Sequence, residues 1–244
     1  MKNAVILLSG GLDSTTCMAV AKSEGYDLYP ISFNYHQRNK IEVESAKKIA
    51  KFFGAKKHIV INTNMNEIGG SALTDEHIAV PDGDVDRSDV PVTYVPSRNL
   101  IFLSYALAYA EVVKAEAIFI GVNAVDYSGY PDCRPAFIQK FQELVSVACK
   151  TTAVDKKQIQ IKTPLQNLSK GEIIKLGTKL GAPYELTRSC YNGGEKACGH
   201  CDSCELRLKG FAEAGIKDPI EYEYRPTKTE IMNHKHHIIY ENGE

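Results

Sequence analysis

No stretch of this sequence approaches the roughly 18 consecutive apolar residues that a membrane-spanning helix needs. Neither sign of charge prevails: 29 Lys and Arg stand against 30 Asp and Glu. A chain that grips long nucleic acid normally carries an excess of positive charge, because neutralised phosphates release counterions. Neither a membrane nor a tRNA or DNA partner is therefore expected. The opening MKNAVILLSGG lacks the small-residue cleavage site of an export signal, and its apolar run leads straight into Gly-Gly, as a buried first strand would. Without an export signal, the seven cysteines do not read as a disulfide framework, and the expected location is the cytoplasm. Internal repeats and low-complexity linkers are absent as well.

What is present is an ordinary globular composition, with 43% apolar residues in a chain of 244, enough for one large domain with a small appendage. Apolar runs at 4–8, 28–35, 58–61, 117–120 and 159–161 alternate with helical patterns at 13–24 and 38–53. Pro30 suggests that the first part of the second strand is weakly paired. Strands separated by helices predict an α/β fold, a parallel sheet with helices on both faces. Residues 100–113 are apolar nearly all round, which predicts a helix buried in the domain or in a homodimer interface. Residues 74–97 read as one long loop. Its acidic run of Asp82, Asp84, Asp86 and Asp89 echoes a calcium loop, but Arg87 and Thr93 replace the required Gly and Glu. The expected division is an α/β domain over 1–186 and a C-terminal region over 187–244.

Between the first strand and first helix stands Ser9-Gly10-Gly11-Leu12-Asp13-Ser14. Glycines let a backbone approach a ligand closely, and the first-turn N–H groups of a helix attract anions. Ser9, Ser14, Thr15 and Thr16 would add hydroxyl donors to phosphate oxygens. The loop lacks the Walker A lysine and does not match G-x-G-x-x-G, which argues against phosphate transfer by a kinase-type clamp and against a nicotinamide site.

The segment resembles the SGGxDS signature of the PP-loop ATP pyrophosphatases, which cleave ATP between the α and β phosphates and pass AMP to a carboxylate or carbonyl oxygen. The resemblance implies an adenine nucleotide α-hydrolase-like fold and an ATP-binding stretch of Leu8, Ser9, Gly10, Gly11, Leu12, Asp13, Ser14, Thr15, Thr16, Cys17 and Met18. It also implies that Asp13 organises Mg²⁺ or pyrophosphate, with Ser14 and Lys170 as its catalytic companions. A fixed cation at Lys170 would stabilise charge building on the α-phosphate. Further motifs narrow the match: Tyr94-Val95-Pro96-Ser97-Arg98-Asn99, Asp126-Tyr127-Ser128-Gly129-Tyr130-Pro131-Asp132-Cys133-Arg134-Pro135, Thr163-Pro164-Leu165 and Ser189-Cys190-Tyr191. Together these are similar to the 7-cyano-7-deazaguanine synthase family of the queuosine pathway. That family often has Gly where this chain has Ser97, a residue that can also cap a helix.

The implied activity is ATP-dependent conversion of 7-carboxy-7-deazaguanine and ammonia to 7-cyano-7-deazaguanine. Ammonia would be the direct nitrogen donor, as no room is expected for a glutaminase domain. The substrate-binding candidates are Arg98, Asn99, Asp126, Tyr130, Asp132 and Arg134. Asp126 and Asp132 would accept from a purine-like N–H and amine, Tyr127 or Tyr130 would stack, and Arg98 or Arg134 would pair with a carboxylate or phosphate.

Cys190-x7-Cys198-x2-Cys201-x2-Cys204 supplies four thiolates, for which structural Zn²⁺ is the expected metal. The ferredoxin pattern places its fourth cysteine downstream and next to Pro, whereas here it lies upstream. His200 is a spare ligand, and His234, His236 and His237 form a second, weaker candidate. Two rival functions remain on the sequence alone: a tRNA thiolation enzyme with an iron–sulfur cluster, and a non-catalytic zinc module.

Overall fold

A computed structural model of the chain describes residues 2–35, 41–75, 77–81, 90–123 and 130–232. β1 (Lys2–Leu7) alternates sides along its length: Ala4, Ile6 and Leu8 enter one buried cluster, Val5 and Leu7 another. A strand can be apolar on both faces only where both are covered, so β1 must lie inside a layered sheet. It does. β1 pairs in parallel with β2 (Tyr26–Asn34) on one side and β4 (Ala117–Phe119) on the other. β3 (Ile59–Asn62) and β5 (Gln160–Lys162) complete a parallel sheet of order β3-β2-β1-β4-β5. Pro30 lies opposite Ile6 of β1, one residue before β3 begins to pair at Ile31, so the first half of β2 has a single neighbour.

One face of the sheet is covered by α1 (Leu12–Ser23), α2 (Ile41–Phe52) and α6 (Lys170–Lys179), which bury Met18, Ile49 and Ile173 against Ile6, Leu28 and Phe119. Full burial of each such side chain contributes about 1.5–3 kcal/mol before entropy is counted. The other face is covered by α3 (Arg98–Val112) and α4 (Pro135–Ala148), followed by the single turn α5 (Lys150–Ala153). α6 starts at a capping box: Glu172 N–H donates to Ser169 Oγ at 3.3 Å, and Ser169 N–H donates to the Glu172 carboxylate at 2.8 Å. α7 (Asp202–Ala214) packs along α6 and sends Phe211 into the α1 side of the core; a short α8 (Lys228–Met232) follows.

α3 is buried on one side only. Leu103, Ala106, Leu107 and Ala110 face the sheet, while Leu100, Tyr105 and Val112 are 40, 43 and 77% exposed. No helix among the described residues is long and apolar enough to cross a membrane. Residues 82–89, with the acidic run, and the tail histidines 234, 236 and 237 lie outside the described residues.

Candidate active site

In this sheet the chain runs outward from β1 to β3, then returns to build β4 and β5 on the other side. The reversal leaves a crevice beyond the carboxyl ends of β1 and β4, the place where open α/β sheets bind ligands. The loops leaving both strands meet there. Gly121, after β4, lies so close to α1 that a Cβ on it would come within 3.1–3.2 Å of the Asp13 and Ser14 backbone. Gly10 is equally constrained: its φ is +94°, and a Cβ would meet the Glu42 carbonyl oxygen at 2.3 Å. Only glycine fits there.

The loop is organised by its own hydroxyls. Ser9 N–H donates to Ser14 Oγ at 3.2 Å, the two hydroxyls lie 3.0 Å apart, and Gly11 N–H donates to Ser9 Oγ at 3.2 Å. Gly11 stands at the N-cap of α1 and brings no side chain to cap it, so the first-turn N–H groups remain available to an anion. The hydroxyls of Thr15 and Thr16, expected among the phosphate donors, turn back instead to the carbonyls of Gly11 (2.8 Å) and Leu12 (3.0 Å). This i−4 bonding is what a hydroxyl inside a helix does when buried. Cys17 and Met18 are fully buried in the core, with burial raising the Cys17 pKa.

Opposite the loop, Lys170 reaches from the first turn of α6 to Asp13, with Nζ 2.8 and 2.9 Å from the two carboxylate oxygens. The lysine side chain is 6% exposed and the aspartate 23%, so the pair is held at the edge of solvent. Asp13 thereby acquires a fixed cation beside an open helix N-terminus.

A cavity of about 240 Å³ runs from this polar end to an aromatic one. Ser9, Gly11, Asp13, Ser14 and Lys170 line the first; Phe33, Tyr35, Phe102 and Tyr130 line the second. Phe33 and Phe102 stack on each other, with ring centroids 3.8 Å apart and planes 3° apart. Arg98 also lines the cavity, beside Tyr35 and Tyr130 of the aromatic end. Burial opposes its charge, but the facing oxygens of Tyr35 and Tyr130 and a hydrogen bond with Tyr35 hold its pKa above the ordinary value. No carboxylate pairs with Arg98 among the described residues.

The remaining sequence candidates separate. Asn99 lines the cavity, and its backbone N–H donates to Asp132 at 3.0 Å while its amide donates to the Asp132 carbonyl and to Cys133 Sγ. The Asp132 carboxylate is thus spent on the first turn of α3, outside the cavity wall. Ser97 does not cap that helix; it has φ +54° and makes no side-chain cap bond. Arg134 is exposed and lies away from the cavity. Asp126 and Tyr127 lie outside the described residues. Phe33, Tyr35, Glu42 and Phe102 also line the cavity without having stood out in the sequence, and so do Asn123 and Ser189, for which the sequence suggested no role in binding. Buried positions on strands and helices carry the same residue types whether they face a ligand or a core, so only proximity to the loop identifies them.

The four cysteines do converge. The sulfurs of Cys190, Cys198, Cys201 and Cys204 all lie within 4.8 Å of one another, and all four residues are buried. Tetrahedral zinc thiolate bonds of about 2.3 Å place sulfurs about 3.8 Å apart; Cys198 and Cys204 are 3.9 Å apart. The donor set therefore fits zinc. Cys201 is the N-cap of α7 and Cys204 lies in its first turn, where the helix dipole favours thiolate. Hydrogen bonding within the cluster shares the remaining protons unevenly, drawing the Cys190 and Cys198 thiols below the ordinary value and pushing those of Cys201 and Cys204 above it.

Comparison with known proteins places the same residues in a family context. The family described as "Queuosine biosynthesis protein QueC" matches residues 3–215. A protein of Acetivibrio thermocellus named 7-cyano-7-deazaguanine synthase is 62% identical over 225 residues, covering 92% of this chain and all of its own length. One of the same name from Oceanobacillus iheyensis is 56% identical over 91% of this chain and 98% of its own.

Proposed function

The chain belongs to the QueC family of queuosine biosynthesis proteins, and on that premise we propose that it is a carbon–nitrogen ligase making 7-cyano-7-deazaguanine from 7-carboxy-7-deazaguanine, ammonia and ATP. The observation that supports this reading is one cavity lined by the Ser9–Ser14 loop, by aromatic rings, and by an arginine with no carboxylate partner among the described residues.

The α1 N-terminus and the Ser9 and Ser14 hydroxyls hold the pyrophosphate part of ATP, and Asp13 is placed to hold Mg²⁺, which would neutralise phosphate charge when bound. Arg98 rather than the exposed Arg134 orients the substrate carboxylate, and Tyr130 with Phe33 and Phe102 supplies flat surfaces for heterocycles. A carboxylate oxygen attacks the α-phosphorus and the bond to pyrophosphate breaks. Ammonia then displaces AMP to leave an amide. A second activation at the amide oxygen, followed by proton loss from nitrogen and departure of AMP, gives the nitrile. Lys170, held by Asp13, is a fixed positive charge near the phosphorus as negative charge accumulates. The cysteine centre holds zinc and is structural, with every ligand position closed by the protein. The reaction takes place in the cytoplasm on small molecules and needs no nucleic acid.

The test is to incubate purified protein with 7-carboxy-7-deazaguanine, ATP and ammonium and follow products by mass. Two AMP and two pyrophosphate per nitrile are expected, and added amide should need only one ATP. Lys170→Met should lower the rate by about 10²–10³-fold. ADP and phosphate as stoichiometric products would refute adenylation.

A further inference from the structure

Between the phosphate loop and the cysteine centre runs a short strap, Thr187 to Cys190. Arg188 N–H donates to the Gly10 carbonyl at 2.9 Å, which fixes the strap to the loop's first glycine. Gly11 faces the same strap: a Cβ on Gly11 would come within 3.6 Å of the Arg188 carbonyl oxygen and 3.8 Å of Ser189 Cβ. Both ends of the strap are anchored. Thr187 Oγ1 accepts from Arg207 at 2.6 Å, and Arg207 is itself clamped by Asp218 through Nε at 2.7 Å and a second nitrogen at 2.8 Å. At the other end Cys190 enters the four-sulfur cluster.

The residue held in the middle is Ser189. It lines the cavity, yet its hydroxyl is buried with no hydrogen-bond partner among the described residues. Buried hydroxyls are nearly always paired, and an exception calls for a cause. A serine hydroxyl moves between three staggered positions by rotating about one bond. Ser189 forms part of the cavity wall, and its Cβ lies 3.8 Å from where a Cβ on Gly11 would stand, so the hydroxyl needs only such a rotation to address a ligand held at that glycine.

We propose that Ser189, held over Gly10 and Gly11 by the cysteine-anchored strap, is a further phosphate-binding residue that donates its hydroxyl hydrogen to the pyrophosphate part of ATP. This rests on the reading of the cavity as an ATP site. It gives the cysteine centre a defined task, since the same strap that carries a sulfur ligand carries a phosphate donor. It also accounts for the orphaned hydroxyl, whose partner is the nucleotide.

The experiment compares wild type, Ser189→Ala and Ser189→Thr for binding of magnesium pyrophosphate, α,β-methylene-ATP and AMP by calorimetry, together with melting of the ligand-free proteins. Ser189→Ala should weaken pyrophosphate and the ATP analogue roughly 10- to 100-fold, the range for a hydrogen bond to a charged group. AMP binding should not change, and Ser189→Thr should recover most of the loss. The ligand-free Ser189→Ala protein should melt no lower than wild type, because it loses no bond. Equal pyrophosphate affinity in wild type and Ser189→Ala would overturn the inference while leaving the ATP reading intact. So would a matching loss for AMP, or a lower melting point without ligand, either of which marks a structural role. A wild-type protein that binds neither pyrophosphate nor the analogue would overturn both.

Discussion

Ser97 shows how one backbone angle can explain a residue preference. It holds φ +54° immediately before α3, a region costing an ordinary L-residue about 1–2 kcal/mol and glycine almost nothing. The glycine expected there by resemblance is the residue this geometry favours. Ser97→Gly should therefore raise stability by up to about 1 kcal/mol in urea denaturation, since glycine's greater freedom when unfolded offsets part of the gain. A loss of stability would show that the serine side chain contributes something its lack of a capping bond conceals. Cys133 offers a second case. Burial pushes its pKa up to about 12, with Asp132 adding to the effect. At pH 8 only about one molecule in 10⁴ carries the thiolate, so iodoacetamide should leave Cys133 unmodified although it lines the cavity. Rapid modification of Cys133 at pH 8, mapped by peptide mass, would contradict the environment described.

Among the elements, α7 joins the four-cysteine cluster to the fold. Its N-cap and first turn carry Cys201 and Cys204, and its middle carries Arg207. The Arg207 guanidinium is 3% exposed and donates to Asp218, Thr187 and the Tyr184 carbonyl, while Asp218 also accepts from Tyr222 and Ile220. A buried ion pair is a favourable arrangement only when its remaining hydrogen-bonding groups are satisfied, as they are here. Loss of a metal ligand should loosen α7 and then this network. Elemental analysis should find about one zinc per chain in a colourless protein. Cys201→Ser should lose the metal and melt at a markedly lower temperature, because a structural site contributes folding energy directly. A brown protein containing iron would replace zinc with a cluster, and an unchanged melting point would deny the site its structural role.

At the scale of the whole molecule, the exposed side of α3 is the feature that a single chain leaves unexplained. Between Arg98 and Glu111 the helix has no charged residue, and Leu100, Tyr105 and Val112 face outward. Solitary exposed apolar residues are common, but a helix face without charge is more often covered. The homodimer expected from the sequence would cover it with a second copy of the chain. Light scattering should report twice the chain mass, and Leu100→Lys combined with Tyr105→Lys should shift it to the monomer without unfolding it. A monomeric wild type at micromolar concentration would dismiss this arrangement.

The sequence by itself determined the layered α/β class, because five apolar runs separated by helical patterns have few ways to bury both faces of a sheet. It also marked the Ser9–Ser14 turn between β1 and α1 and the four-cysteine set, whose residues sit close together in the chain. The start of α6 is likewise a local matter, set by Ser169 and Glu172 three residues apart. The tertiary structure decided what depends on distant segments meeting. Lys170 finds Asp13 across 157 positions of chain, and Arg98 rather than Arg134 enters the cavity. The Asp132 carboxylate is taken by Asn99, 33 residues away, a claim on it that no local pattern announces. Ser189 stood in the sequence only as part of the Ser189-Cys190-Tyr191 motif, and the fold set it over the glycines. Local spacing encodes bonds within a turn or a helix, whereas the wall of a cavity is assembled from the ends of several strands and helices, and only their packing assigns each side chain to it.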